Sequence, residues 1–209
     1  TMSIERQRLL KAYGAQVVLT PGAEGRPIAI AKARALAEQN GWFLPLQFSN
    51  EDNPKAHYET TGPELLEALG VVDVFISSVG TGGTLTGTGR FLKEKNPYTR
   101  VIAVEPAESP VLSGGTPGKH KIQGIGAGFK PDILDESVYD EVIAIEGDVA
   151  YDFARRAATE EGILCGMSSG AVLAAAQRVA ETLPAGKNIV VLLPDNGERY
   201  LSTSLYETE

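Results

Sequence analysis

The stretch VVDVFISSVGTGGTLTGTGR, residues 71–90, joins an apolar run to a turn rich in glycine and then to the start of a second apolar period. Its first part lacks strict alternation of apolar and polar residues and reads as a strand covered on both faces. Gly80, Gly82 and Gly83 let the backbone turn tightly and come close to a ligand, and residues from about 84 to 95 continue as a helix. Consecutive N–H groups in such a turn make a nest for an anion, the helix N-terminus adds positive potential, and the hydroxyls of Thr81 and Thr84 add donors. A phosphate suits that arrangement. No G-K-[ST] follows, so a Walker A site is excluded, and the glycine spacing departs from G-x-G-x-x-G. Three readings stay open on these residues: a phosphate cup, a dinucleotide site whose ribose meets Glu105 at the end of the next apolar run, and plain tight packing of strand on helix.

Working outward, the same alternation covers the chain. RVIAV (100–104), EVIAI (141–145) and NIVVLL (188–193) are further strand candidates. Helices are expected between them, one with Val149, Phe153 and Ala157 inward and ending at Gly162, another with Val172, Ala176, Val179 and Leu183 inward. Nearer the start, Ser3 is placed to cap a helix that turns Leu9, Leu10 and Tyr13 inward, and AQVVL (15–19) reads as a strand. Pro27 opens a second helix with Ile28, Ala31 and Ala35 on one face, before WFLPL (42–46) as another strand. The polar segment QFSNEDNPKAHYETTGP reads as a connection, after which Thr61 and Glu64 have capping-box spacing. These patterns predict an α/β fold with a mostly parallel sheet covered by helices.

Composition narrows the function. The chain has 209 residues, 43% of them hydrophobic, enough for a proper core, and a formal charge of −8. Nothing in that balance favours nucleic acid or an anionic membrane, and a small-molecule site is the better expectation. The single cysteine, Cys165, has no internal disulfide partner and reads as a buried small residue; no Cys/His cluster has metal-site spacing, and no run is long enough to span a bilayer. The cytoplasm is the expected compartment. TMSIERQRLL begins as though a helix were already under way, with Thr1 ahead of Met2.

Longer segments add a resemblance. SNEDNPKAHYETTGPE, SVGTGGTLTG, AVEPAESPVLSGGTPGKHKIQGIGAGF, EEGILCGMSSGA and LLPDNGERYLST occur in this order, and together the chain resembles the cysteine synthase (O-acetylserine sulfhydrylase) family, pyridoxal-phosphate enzymes of fold type II, from Thr1 to about Tyr206. The resemblance implies a two-domain fold lacking its N-terminal part: residues 1–46 as the second half of the small domain and 47–209 as the large, cofactor-binding domain. It implies that Gly80, Thr81, Gly82, Gly83 and Thr84 cup the 5′-phosphate of pyridoxal phosphate, and that Ser168 meets the pyridine nitrogen. On residues alone, Ser168 and Ser169 read as caps of the next helix, and both roles can hold at once, one serine for each. Gln47 and Gly124 are implied at the bound amino acid, with Leu46 standing where the family usually has a second glutamine. His57, Lys119, His120 and Lys121 are implied at the site entrance. The family's serine acetyltransferase tail meets that region, and a homodimer is its usual assembly. On residues alone, His57 and the Lys-His-Lys run read as solvated surface.

The implied reaction is β-replacement, in which O-acetyl-L-serine and sulfide give L-cysteine. The family's Schiff-base lysine and its Ser/Thr-Ser-Gly-Asn-Thr-Gly loop match nothing here, and the nine lysines all fall in other segments. These 209 residues by themselves are therefore expected to contain no catalytic residue and to be inactive. The readings kept beside this one are a cystathionine β-synthase or O-phosphoserine sulfhydrylase relative, a non-catalytic binding half, and an NAD-binding oxidoreductase. The Asp195-Asn196 pair departs from the small residues commoner in LPxxGERYLST, and no change of chemistry is expected from it.

Overall fold

The computed structural model describes the backbone of residues 3–207 and, outside 24–27, their side chains; Thr1 and Met2 lie outside the described residues. The centre is a sheet of four parallel strands, β1 (Val74–Ser78), β2 (Arg100–Pro106), β3 (Glu141–Ile145) and β4 (Ile189–Val191), in the order β3-β2-β1-β4. Ile76 lies beside Ile102 and Val191, and Val104 beside Ile143. Each of these strands overlaps a run expected from its apolar residues; β3 and β4 lie inside theirs, and β2 runs on two residues past Val104 to Pro106.

Helices cover both faces, which is why the strands need no polar side. Val74, Ile76, Ile102, Val104 and Ile145 pack with Ala150, Ala154, Ala171, Val172 and Ala175 of α6 (Gly147–Glu161) and α7 (Met167–Ala180). The alternate residues Phe75, Val101 and Ala103 pack with Leu85 and Leu92 of α5 (Gly83–Lys95) on the other side. Period-two alternation of side chains along each strand thus feeds two cores. Gly162 ends α6 in the left-handed region, as its position in the sequence suggests.

The first 46 residues depart from expectation. They hold α1 (Ile4–Ala12) and α2 (Gly25–Asn40), the latter beginning two residues before Pro27. AQVVL and WFLPL form no strand, because no neighbour among the described residues supplies a ladder. Leu9, Leu10 and Tyr13 are exposed instead of facing inward, as are Ile28, Ala31 and Ala35, and Ser3 precedes α1 without a side-chain capping bond.

The segment read as a connection folds into α3 (Asp52–Glu59), followed at once by α4 (Thr61–Leu69). Pro54 is tolerated because it sits in the first turn, where an N–H has no helical acceptor. The Asn50 side chain accepts from the Asp52 N–H at 3.0 Å, preparing that start. The predicted capping box at Thr61 does not form; Thr60 is the residue before α4, and Thr61 is used differently.

Candidate active site

β1 ends where the glycine turn begins. The Val79 N–H donates to Val104 O at 2.9 Å, holding the turn to β2, and the Gly126 N–H donates to Val79 O at 3.1 Å, holding a second loop beside it. Gly82 then takes φ +86°, a left-handed conformation that a side chain strains, and α5 starts at Gly83. Among the described residues, no carbonyl accepts from the N–H groups of Thr81, Gly82, Thr84 or Leu85. Those groups sit at the positive end of a helix of 13 residues.

Both hydroxyls of the turn are backed by α3. Asn53 Nδ2 lies 3.0 Å from Thr81 Oγ1 and 2.9 Å from the Gln47 carbonyl oxygen. His57 lies between Thr84 and Thr61, with Nε2 3.1 Å from Thr84 Oγ1 and Nδ1 2.9 Å from Thr61 Oγ1. Burial lowers the His57 pKa below its ordinary value. Asn53 and Thr61 are the residues that sequence reasoning missed. The signal was the i, i+4 spacing of Asn53 and His57, which has meaning only once NPKAHYE is seen to be helical.

The remaining candidates gather on two further elements. Gly124 belongs to the loop that abuts the turn: a Cβ on Gly80 would lie 2.5 Å from the Gly124 carbonyl oxygen. Its neighbour Gln123 donates its N–H to Met167 Sδ at 3.0 Å, which ties the same loop to the first turn of α7. Ser168 and Ser169 follow there, both buried. Neither caps α7, whose preceding residue is Gly166 and which has no side-chain cap. The Ser168 hydroxyl makes no hydrogen bond among the described residues. The Gln47 side chain is exposed at the rim, next to Leu46, which holds φ +51°.

The three basic residues do not form a uniform patch. Lys121 pairs with Asp148 and lies 4.5 Å over the Tyr151 ring, and His120 Nε2 is 3.0 Å from Gly126 O. Lys119 is exposed. Six of the nine lysines, at 55, 93, 95, 121, 130 and 187, are paired with carboxylates at the surface. Cys165 is buried and its thiol is pushed up by that burial, as befits a packing residue. Among the described residues no His, Cys, Asp and Glu cluster has the makings of a metal site, and no helix is long and apolar enough to cross a membrane.

Glu105 decides against the dinucleotide reading. Its buried carboxylate accepts from the N–H groups of Leu112 at 2.7 Å and Ser113 at 3.0 Å, and from the Ser113 hydroxyl at 2.5 Å. Both oxygens are engaged in holding the loop after β2 and the residue is buried, so Glu105 serves as a loop anchor and does not stand free for a ribose. Enclosed space beside the turn, lined by Val79, Gly80, Glu105 and Gly126, amounts to about 10 Å³, room for a water at most. A groove of about 350 Å³ lined by Glu51, Pro54, Lys55, Tyr58, Gly87 and Arg90 includes none of the candidate residues.

The sequence profile of the family described as pyridoxal-phosphate dependent enzymes matches residues 1–195. The chain belongs to this family. A cysteine synthase of Staphylococcus aureus is 54% identical over 208 residues, 99% of this chain and 67% of that protein. Among solved structures, O-ureido-L-serine synthase superposes with a TM-score of 0.94 at 44% identity, covering 98% of this chain and 65% of that one. O-acetyl serine sulfhydrylase isoform 3 from Entamoeba histolytica gives 0.92 at 49% identity, covering 100% and 63%. The chain thus spans somewhat under two thirds of these two solved structures. Its residues fit the cofactor's ends: an anion nest with two hydroxyls for a phosphate, and a buried, unengaged serine hydroxyl for a ring nitrogen.

Proposed function

We propose that this chain is the cofactor-holding part of a cysteine synthase, an enzyme that makes L-cysteine from O-acetyl-L-serine and sulfide by β-replacement. The observation that carries the reading is the pairing of an anion nest at residues 80–84 with a free hydroxyl at Ser168, on two elements joined by the 123–126 loop. Bound there, pyridoxal phosphate supplies an electron sink for the bonds at the amino acid's α carbon.

The residues have distinct tasks. Gly80 to Thr84 hold the phosphate, fixing the ring against sliding. Ser168 offers the ring nitrogen a neutral hydroxyl, which does not hold that nitrogen protonated as a carboxylate does. A moderate sink suits loss of a leaving group from the β carbon. Gln47 at the rim donates its amide to the substrate carboxylate, and the Gly124 loop closes the opposite wall. Lys119, with His120 and Lys121 beside it, draws small anions to the entrance and offers an acidic peptide, such as the serine acetyltransferase tail, a contact; a homodimer in the cytoplasm is the assembly and setting this reading carries. None of the nine lysines is assigned the Schiff base, so within this reading the 209 residues alone hold the cofactor reversibly and make no cysteine above its own background.

Thr84→Ala tests the reading. It removes one donor to a doubly charged group and is expected to weaken binding of inorganic phosphate and of pyridoxal phosphate by about 1.5 to 3 kcal/mol. Isothermal titration of both ligands measures it; affinity unchanged by Thr84→Ala and by Gly82→Val sinks the cup assignment.

A further inference from the structure

A threonine hydroxyl helps to bind an anion only if its proton points at it. If the proton is given elsewhere, the oxygen presents lone pairs and repels. What sets that direction for Thr81 and Thr84 lies behind them on α3, where Asn53 and His57 are four residues apart and share the face toward α5.

For Thr81 the direction follows from counting donors. The Asn53 amide nitrogen donates to the Gln47 carbonyl at 2.9 Å and to Thr81 Oγ1 at 3.0 Å. A backbone carbonyl only accepts, so turning the amide over would set two acceptors against each other. Thr81 Oγ1 also accepts from the Gly83 N–H at 3.2 Å. With both lone pairs used, the Thr81 proton is left to point outward.

For Thr84 the direction depends on the imidazole. The ring is half-buried and burial disfavours its charged form, which leaves one nitrogen as donor and the other as acceptor. With the proton on Nε2, the ring donates to Thr84 and accepts from Thr61 at Nδ1, and the Thr84 proton is free for the anion. With the proton on Nδ1, Thr84 must give its proton to the ring. Among the described residues the Thr61 side chain has no hydrogen bond but the one to Nδ1, so its proton is available there.

We propose that α3 sets the polarity of the turn: Asn53, oriented by the Gln47 carbonyl, and His57, oriented by Thr61, are positioning residues that make Thr81 and Thr84 donate outward to a phosphate group. The inference rests on the phosphate reading of residues 80–84.

Two measurements test it. Long-range ¹H–¹⁵N NMR of the unliganded chain reads the His57 tautomer directly; the proton is expected on Nε2, and a proton on Nδ1 overturns the proposal. The second is inorganic phosphate affinity in variants. His57→Gln places an amide nitrogen where Nε2 lies and is expected to bind within about twofold of the unaltered chain, whereas His57→Asn, which reaches only Thr61, should bind on the order of fivefold more weakly. In a Thr84→Ala background His57→Asn should change nothing further, a coupling that a merely structural role would not give. Asn53→Asp, which turns a donor into an acceptor, should lose at least as much affinity as Thr81→Val. Equal weakening by His57→Gln and His57→Asn, or an undiminished His57→Asn effect without Thr84, overturns the proposal. If Thr84→Ala itself leaves phosphate affinity unchanged, it is the phosphate reading that fails, and the tautomer still decides whether His57 directs Thr84.

Discussion

Thr61 is a first-turn residue of α4 that bonds to His57 instead of capping its own helix, and His57 in turn bonds to Thr84 across a helix interface. A side chain with two ring nitrogens, both engaged and half-buried, is poorly placed to gain a charge. Its folded pKa lies below the ordinary 6.5 because of burial. The unfolded chain therefore binds a proton more readily than the folded one as pH falls. The stability His57 contributes is complete above roughly pH 6.5 and is lost progressively below it, toward the lowered folded value. Urea unfolding at about pH 7.5 and about pH 5.5 should show a larger fall in midpoint for the unaltered chain than for His57→Gln, in which nothing titrates. Equal falls would mean that other groups carry the acid sensitivity.

At the scale of elements, close approach of helices depends on small residues. A Cβ on Gly170 of α7 would lie 1.9 Å from the Ala150 carbonyl oxygen of α6, and neither backbone can yield without shifting the core between them. Gly170→Ala should cost about 1 to 3 kcal/mol despite alanine's better helix propensity, read as a lowered denaturation midpoint. A gain in stability would show that the two helices separate freely. The apolar runs that became β1 to β4 were legible because each has its neighbours within the chain, and α6 and α7 because their inward stripes keep one period. AQVVL and WFLPL carry the same apolar signal without partners, and a run alone does not make a strand: ladder bonds need an acceptor beside them. α3 was hidden by Asn, Pro and Gly, residues that punctuate loops but are permitted in a helix's first turn or beyond its end. The strand, glycine turn and helix were readable from their own residues, with Gly82 in the left-handed region where the turn needs it. The backing by Asn53 and Thr61 was not, since it depends on α3 being a helix and on which face it turns to α5.

For the whole molecule, the two cores draw their residues from 72–205, while Tyr13, Leu19, Trp42 and Phe43 leave apolar surface exposed in the first 46 residues. α1 meets the body at the one-turn helix Gly197–Tyr200, and polar side chains fasten it there. Arg6 Nη2 donates to the Tyr200 hydroxyl at 2.8 Å and to Asp195 Oδ2 at 3.3 Å, Tyr200 donates to the same Asp195 oxygen at 2.5 Å, and Glu5 accepts from the N–H and hydroxyl of Ser202. Burial, with the Asp195 carboxylate next in weight, pushes the Tyr200 phenol up to about 12, so it stays a donor at any ordinary pH. Asp195 is thereby given a role within the LPDNGERY segment: it bonds to Arg6, 189 positions away. Arg6→Ala removes the cation and leaves a largely buried carboxylate with the tyrosine alone, a cost of about 1 to 3 kcal/mol for hydrogen bonds to charged groups. Because the sheet does not depend on α1, that loss should appear locally. Hydrogen exchange of the amides of Ile4–Ala12 is expected to speed up by roughly tenfold or more, with the amides of β1 and β2 unchanged. Unchanged protection in α1 would mean that the few apolar contacts hold it without the ion pair. Faster exchange in β1 and β2 as well would mean that α1 and the sheet unfold as one unit.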